Sequence, residues 1–390
     1  MEKSKKKEIT MNINLMLPPN IIEVIFSKLP IFNLPFCRLV CNNWNDLILN
    51  YYSSTSKIIP HTLFICTLGH SMYSIDFDPN YLGGISFVAS LGSEDHYMLR
   101  LSSIMCSCNG LLLIYTSVTK HLGFDILNPM TKEYQLDILN PMTNEYFKLW
   151  VEDYSYHRPR SFYFYGFGFS LKTKRYKVVR VLRSSNQKYN LEIFTIGGSN
   201  NQWRCVEQHV PFLIRVNGVY FNGALYWIGL NRRENVIEYV IWHFDLENER
   251  IKSIISLPVA VPSLGETLEA FNGSVYAAFL FKNSCYEIEV WKMQNCGRED
   301  SWAREFVIRD VPKNWVMPFL NTYFKFVKCN EDGEILCLIN GRFYIRYNPK
   351  YGSVKILNQF ELSMSFCESI CRLDSCSFGS LQKILAGDDG

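Results

Sequence analysis

Residues 17 to 30 read Leu17-Pro18-Pro19-Asn20-Ile21-Ile22-Glu23-Val24-Ile25-Phe26-Ser27-Lys28-Leu29-Pro30, and after a short link the chain continues Arg38-Leu39-Val40-Cys41-Asn42-Asn43-Trp44-Asn45-Asp46-Leu47-Ile48. Ile22, Ile25, Phe26 and Leu29 recur at the i, i+3, i+4, i+7 spacing of one helix face. Pro30 ends that helix. Asn33 is the expected N-cap of a second helix, and Pro35 suits its first turn, where the missing N–H costs little. Cys37, Val40, Cys41, Trp44, Leu47 and Ile48 then form a second apolar stripe. A helical pair of about 35 residues cannot bury both stripes within itself, so it is expected to dock on a partner or on the rest of the chain.

This Leu-Pro opening, amphipathic helix, second Leu-Pro and Val-Cys-x-x-Trp element resembles the F-box, in the plant-type form of that family. The resemblance implies an adapter that joins a target protein to a ubiquitin ligase. Carried over by position, the residues implied to contact the Skp-type adapter of a cullin-based ligase are Leu17, Pro18, Ile22, Ile25, Leu29, Pro30, Val40, Cys41 and Trp44.

The remainder of the 390 residues is large enough for a substantial core, with 48% hydrophobic and 15% aromatic content, which favours packed sheets over a helical body. Lys and Arg total 40 against 37 for Asp and Glu, so charge gives no reason to expect nucleic acid or a membrane as partner. Lys3, Lys5, Lys6 and Lys7 are followed by no long apolar segment, and residues 1–14 are expected to be a disordered basic tail. The thirteen cysteines have no paired Cys-x-x-Cys spacing, which suits a reducing compartment and argues against a zinc site; Cys37 and Cys41 are expected to be buried thiols.

Beyond residue 60, short aromatic-rich segments alternate with turn dipeptides. Asn109-Gly110, Asn222-Gly223, Asn272-Gly273 and Asp332-Gly333 each launch an apolar strand, the pattern of successive antiparallel hairpins. The repeat is roughly 50 to 60 residues, in the range of four-stranded propeller blades with long loops. Cys108-Asn109-Gly110-Leu111-Leu112-Leu113, Tyr165-Gly166-Phe167-Gly168-Phe169, Lys177-Val178-Val179, Asn222-Gly223-Ala224-Leu225-Tyr226-Trp227 and Ser301-Trp302 resemble, in that order, the plant F-box-associated, kelch-like domain. The expected architecture is α+β and multidomain: an F-box helical module at 15–55, an all-β propeller-like domain of about six blades at 60–378, and a flexible tail at 379–390. A segment near 61–78 is expected to pair with C-terminal chain and complete the ring. Separately, Asp125-Ile126-Leu127-Asn128-Pro129-Met130-Thr131-Lys132-Glu133-Tyr134 returns almost unchanged at 137–146, a tandem duplication expected to enlarge a loop or add a hairpin.

Propellers also house enzymes, and such an activity would need a catalytic pattern in this chain. No histidine pair has the spacing of a helical zinc site and no Gly-x-Ser-x-Gly elbow occurs. Gly166-Phe167-Gly168 lacks what a phosphate cradle needs and reads as a strand-packing element. Asp245 and Glu247 fall in expected turns, and the basic run Lys172, Lys174, Arg175, Lys177, Arg180 and Arg183 reads as the wet face of a half-buried strand pair. No catalytic residue, metal or cofactor is expected. The leading expectation is a non-enzymatic substrate receptor, cytoplasmic or nuclear, with Tyr156, Arg158 and Arg160 in one loop, Arg232 and Arg233 in another, and Trp315 and Phe319 in a third as candidate target-binding residues. The alternatives are a propeller enzyme or carbohydrate-binding lectin with a fused helical module, and an F-box scaffold without target turnover.

Overall fold

The computed structural model describes residues 18–29, 37, 40–53, 62–68, 71–77, 85–90, 98–120, 133–140, 145–149, 163–183, 189–198, 202–210, 213–233, 236–259, 263–294, 302–313, 324–329, 333–339, 343–359, 367–373 and 385. Among the described residues two helices come first, α1 (Pro19–Lys28) and α2 (Asn42–Ser53), with Cys37 between them also helical; strands follow, and Leu385 near the end of the chain is helical again. Pro19 sits in the first turn of α1, and the Pro18 carbonyl accepts from the Ile21 and Ile22 N–H groups at 2.9 and 3.2 Å. Leu29 is already extended (ψ 146°), as the residue before a proline must be, and this stops the helix. Helix α2 starts at Asn42, so the Asn33 and Pro35 start falls outside the described residues and Val40 precedes the helix.

The strands form six sheets. The first holds β1 (Thr62–Leu68), β2 (Ser71–Phe77) and β3 (Ile85–Ser90); the second β4 (Met98–Cys108), β5 (Leu111–Lys120), β6 (Glu133–Asn140) and β7 (Glu145–Leu149). The third holds β8 (Tyr163–Ser170), β9 (Arg175–Arg183), β10 (Tyr189–Thr195) and β11 (Arg204–Val210). The fourth has a split inner edge, β12 (Leu213–Ile214) and β13 (Val219–Phe221), both on β14 (Ala224–Arg233), followed by β15 (Val236–Asp245) and β16 (Arg250–Leu257). The fifth runs β17 (Gly265–Phe271), β18 (Ser274–Lys282), β19 (Tyr286–Met293), β20 (Trp302–Val311), and the sixth β21 (Phe324–Cys329), β22 (Ile335–Ile339), β23 (Phe343–Asn348), β24 (Ser353–Gln359). The last strand, β25 (Cys367–Leu373), returns to the first sheet and pairs antiparallel with β1, Leu63 opposite Leu373 and Ile65 opposite Cys371. The expected closure is therefore present, and the six sheets are the blades of a propeller.

The Asn-Gly turns work as their sequence requires. Asn109, Asn222 and Asn272 have φ of 46° to 48°, and the glycines after them 72° to 77°, the left-handed pair of a two-residue hairpin turn. Neighbouring inner strands run the same way. Phe324 N–H donates to Thr267 Oγ1 (3.1 Å) and Phe326 N–H to Glu269 Oε2 (2.9 Å), so β17 and β21 advance together, and side chains of one blade satisfy the unpaired edge of the next. Between the third and fourth blades, Tyr165 N–H donates to Asn217 Oδ1 (3.0 Å) and Tyr220 Oη–H to the Phe169 carbonyl (2.9 Å). Gly166 and Gly168 make this approach possible: a Cβ on Gly166 would lie 2.6 Å from Trp227, and one on Gly168 2.6 Å from Tyr220. The Gly-Phe-Gly element is a packing device.

Because the inner strands are co-directional and each sheet is antiparallel, connections alternate between two ends of the ring. The short turns, 109–110, 171–174, 222–223 and 272–273, share one end with the outer hairpins 246–249 and 349–352. Connections from second to third strand, and from one blade to the next, share the other end. We call these the turn end and the loop end.

Two expectations about charge need correction. Lys177 and Arg180 do not form a wet face: both are buried, Lys177 at 3% exposure. Lys177 Nζ donates to the Leu246 carbonyl (2.6 Å) and to Glu249 Oε1 (2.8 Å), while Arg180 pairs with Glu192 (2.6 Å) and lies over the Trp203 ring (4.2 Å). Asp245 is also buried. It organises its turn, accepting from the Glu247 and Asn248 N–H groups, from Asn248 Nδ2 and from Lys252. Burial works to raise its carboxyl, but those donors outweigh burial and hold it well below the usual carboxylate range. Leu385, in the stretch expected to be a flexible tail, is only 3% exposed and joins the core of the second and third blades beside Phe194 and Ile196.

Candidate functional site: an exposed apolar row and the loop end

The helical pair has two apolar faces, and the sequence periodicity merges them. Ile22 and Phe26 on α1 and Ile48 on α2 are buried, and Phe26 meets Trp44 edge to face with centroids 5.1 Å apart. On the opposite side Ile21, Val24 and Ile25 are exposed, Val24 at 56%, and Val40 is 54% exposed just before α2. Four branched aliphatic side chains presented to water on so small a module cost hydration free energy unless a partner covers them.

The residues carried over from the family pattern divide accordingly. Ile25 lies in the exposed row of α1, Val40 is exposed just before α2, and Pro18 is exposed at the start of α1. Leu29, Cys41 and Trp44 are half-buried, whereas Ile22 is buried, at 1% exposure. Ile21 and Val24 are the residues that the sequence reading missed; their signal was a second apolar row, offset from the Ile22–Phe26 row. Cys37 and Cys41 are likewise half-buried, and burial pushes the Cys37 thiol up. Leu17 and Pro30 lie outside the described residues.

At the other candidate site, Arg232 and Arg233 are not in a loop. They are the last two residues of β14, opposite Ile237 and Val236, because the hairpin to β15 is tighter than its polar sequence implied. Tyr156, Arg158, Arg160, Trp315 and Phe319 lie outside the described residues. The strands that flank them fix the end from which they emerge: 150–162 joins β7 to β8, and 314–323 joins β20 to β21, both blade-to-blade connections. All three candidate segments therefore leave from the loop end.

A polar knot stands at that same end, between the fourth and fifth blades. The buried Glu266 carboxylate accepts from Arg215 Nε (3.2 Å) and Nη2 (3.3 Å), from Tyr239 Oη–H (2.7 Å) and from Ser263 Oγ–H (2.7 Å). Burial, against the Ser263 hydrogen bonds and with the adjacent carboxylate, pushes the Tyr239 hydroxyl up to about 12. The knot fastens the segments carrying Arg215 and Ser263 to the strand frame and gives the loop end a rigid base. Among the described residues no group of three His, Cys, Asp or Glu side chains is arranged to hold a metal ion, and no helix is long and apolar enough to cross a membrane. Seven cysteines, among them the buried Cys106, Cys108 and Cys337, are free thiols.

Comparison with known proteins agrees with both halves. The profile of the F-box domain matches residues 14–54, and that of the F-box associated beta propeller domain matches residues 63–372. The F-box protein At3g07870 of Arabidopsis thaliana is 25% identical over 91% of this chain and 93% of its own length. The F-box protein At3g20690 of the same plant is 24% identical over 76% of this chain and 80% of its own. Among solved structures, TolB from Acinetobacter baumannii covers 76% of this chain and 65% of its own at 12% identity, with a TM-score of 0.34, and nothing is carried over from it. With an N-terminal F-box and a propeller matched along most of its length, the chain belongs to the F-box proteins that carry an F-box associated β-propeller domain.

Proposed function

We propose that this chain is the substrate-recognition subunit of a Skp-cullin-F-box ubiquitin ligase, acting in the cytoplasm or nucleus. The observation that carries the reading is the exposed row Ile21, Val24 and Ile25 on α1, with Val40 exposed just before α2. Such a row suits the apolar surface of a Skp-type adapter, and through it a cullin. The chain then contributes proximity and no catalytic side chain: a bound target's lysine is held where activated ubiquitin is delivered, which raises its effective concentration.

The ring topology supports a division of labour. Strand β1 enters as the second strand of its blade, so it begins at the turn end, and the eight residues 54–61 tether the helical pair to that end. Eight residues span at most about 28 Å. The candidate target-binding segments around Tyr156, Arg158 and Arg160, Arg232 and Arg233, and Trp315 and Phe319 leave from the other end, so adapter and target occupy separate surfaces.

The test replaces Val24 and Ile25 together by Asp. Both are exposed, so the melting temperature should hold while capture of a purified Skp-type adapter is lost; undiminished capture refutes the assignment. In parallel, alanine at Arg158, Arg160, Arg232 and Arg233 should abolish target capture and ubiquitination with adapter binding retained, and full capture by that variant removes these segments as the recognition site.

A further inference from the structure

The duplicated decapeptide has a consequence in the second blade. Residues 125–134 and 137–146 agree at nine of ten positions, differing only at Lys132 and Asn144. The second copy forms the outer hairpin. In it Ile138 lies opposite Leu113 and Leu139 opposite Leu112 on β5, while Asn140 lies opposite Glu145 and Leu139 opposite Tyr146 on β7. Ile138, Leu139 and Asn140 are fully buried. Each has an identical counterpart twelve residues earlier: Ile126, Leu127 and Asn128.

Twelve is even, so sliding the chain by one repeat returns every side chain to the same face. Slid in this way, Leu113 would face Ile126 and Leu112 would face Leu127. Val118, now opposite Glu133, would face His121, leaving Thr119-Lys120 as a two-residue turn without the Asn or Gly that such turns favour, a first cost of the slid register. The third strand of the blade is then rebuilt from 121–128 and the fourth from 133–137. The two registers differ in the first half of the third strand, where Glu133-Tyr134-Gln135-Leu136 gives way to His121-Leu122-Gly123-Phe124, and in the fourth strand, where Phe147-Lys148-Leu149 gives way to Gln135-Leu136-Asp137. Leu149 is 2% exposed in the core that also holds Cys106, Leu111 and Phe167. Asp137 in its place would put a carboxylate into that core, which favours the observed register.

We propose that this blade has two interchangeable outer hairpins, the second copy as the ground state and the first as a built-in spare, with Leu149 against Asp137 setting the preference. The exchange moves twelve residues from the β5–β6 connection to the β7–β8 connection. Both leave from the loop end, and the second contains Tyr156, Arg158 and Arg160. Any effect on target choice rests on the function proposed above; the exchange rests on the hairpin alone and is tested without adapter or target.

The test is Ile138→Asp with Leu139→Asp, read by melting temperature and hydrogen exchange of the full chain. The spare should take over, so that unfolding stays cooperative at a lowered melting temperature, with protection lost from 138–140 and 145–149, gained by 121–128 and kept by 133–137. In that background Asp137→Leu should restore much of the lost melting temperature by filling the Leu149 position, and Leu149→Ala should become silent although it destabilises the parent. The same pair in a chain lacking 125–136 has no spare and should lose the blade. Equal damage in the two backgrounds, or no rescue by Asp137→Leu, overturns the proposal.

Discussion

Replacing Lys177 by Met tests how the third and fourth blades are fastened. Lys177 Nζ lies within 2.6 Å of the Leu246 carbonyl and 2.8 Å of Glu249 Oε1, and the Glu249 carboxylate also takes Arg204. Methionine keeps most of the buried stem but none of the donors. The Leu246 carbonyl then loses this donor at a cost of about 1–3 kcal/mol, and Glu249 loses one of its two cations, a charged hydrogen bond of about 1.5–3 kcal/mol partly offset by Arg204. The sum is about 3 kcal/mol, in line with breaking one side of a buried pair. With an unfolding entropy of about 2.1 cal/mol/K for each of roughly 310 ring residues, this is a fall of about 5 °C in melting temperature. The assay is urea denaturation and calorimetry of Lys177→Met, of Glu249→Leu, and of both together. Each single change leaves a group without its partner, whereas the double change removes both charges, so the double variant should be more stable than the sum of the singles by 1 kcal/mol or more, as an order of magnitude. A neutral Lys177→Met, or strict additivity, would refute the idea that this buried cation fastens the blades.

Two further outcomes are expected. Gly218→Ala should cost about 2–3 kcal/mol in the denaturant midpoint, because its Cβ would fall 2.4 Å from Trp227, whose ring cannot retreat while stacked 4.5 Å from Trp242. His243 is held below its ordinary value by burial and then by Lys252, with Asp245 opposing, so the unfolded chain binds the proton more readily; stability should fall as pH drops below about 6.5 toward the folded value, and His243→Phe should flatten that slope in pH-dependent unfolding.

What was legible in the sequence was what local rules determine. Asn-Gly dipeptides favour left-handed backbone, and Asn109-Gly110, Asn222-Gly223 and Asn272-Gly273 sit in such hairpins, whereas Asn217-Gly218 does not; the spacing between the three gave the blade repeat and hence the ring. Pairing of β1 with β25 was readable because a ring must dispose of its first and last edges. Partner identity at a distance was not legible. Lys177 and Arg180 looked like a solvated stripe because Glu249 and Glu192, which allow them to be buried, are named by the fold and not by neighbouring sequence. Periodicity detects that α1 is apolar but not which of two adjacent rows meets α2, so Ile22 was assigned outward and Val24 overlooked. Arg232 and Arg233 were placed in a loop because polar residues near a hairpin tip do not mark where pairing stops.

The pairing of β1 with β25 also sets a timetable for synthesis. The helical pair, with Ile22, Phe26 and Ile48 buried and Phe26 against Trp44, leaves the ribosome ahead of the ring. Strand β1 follows, but its inner neighbour is still about 300 residues away, which at roughly 5–20 residues per second is about 15–60 s of translation. Throughout that interval one edge of the first blade has its backbone donors and acceptors unmatched, an aggregation hazard that only the last strand removes. A nascent chain can thus have the exposed Ile21, Val24 and Ile25 in place well before the ring closes; under the function proposed above, an adapter arriving early would engage a chain whose ring is unfinished.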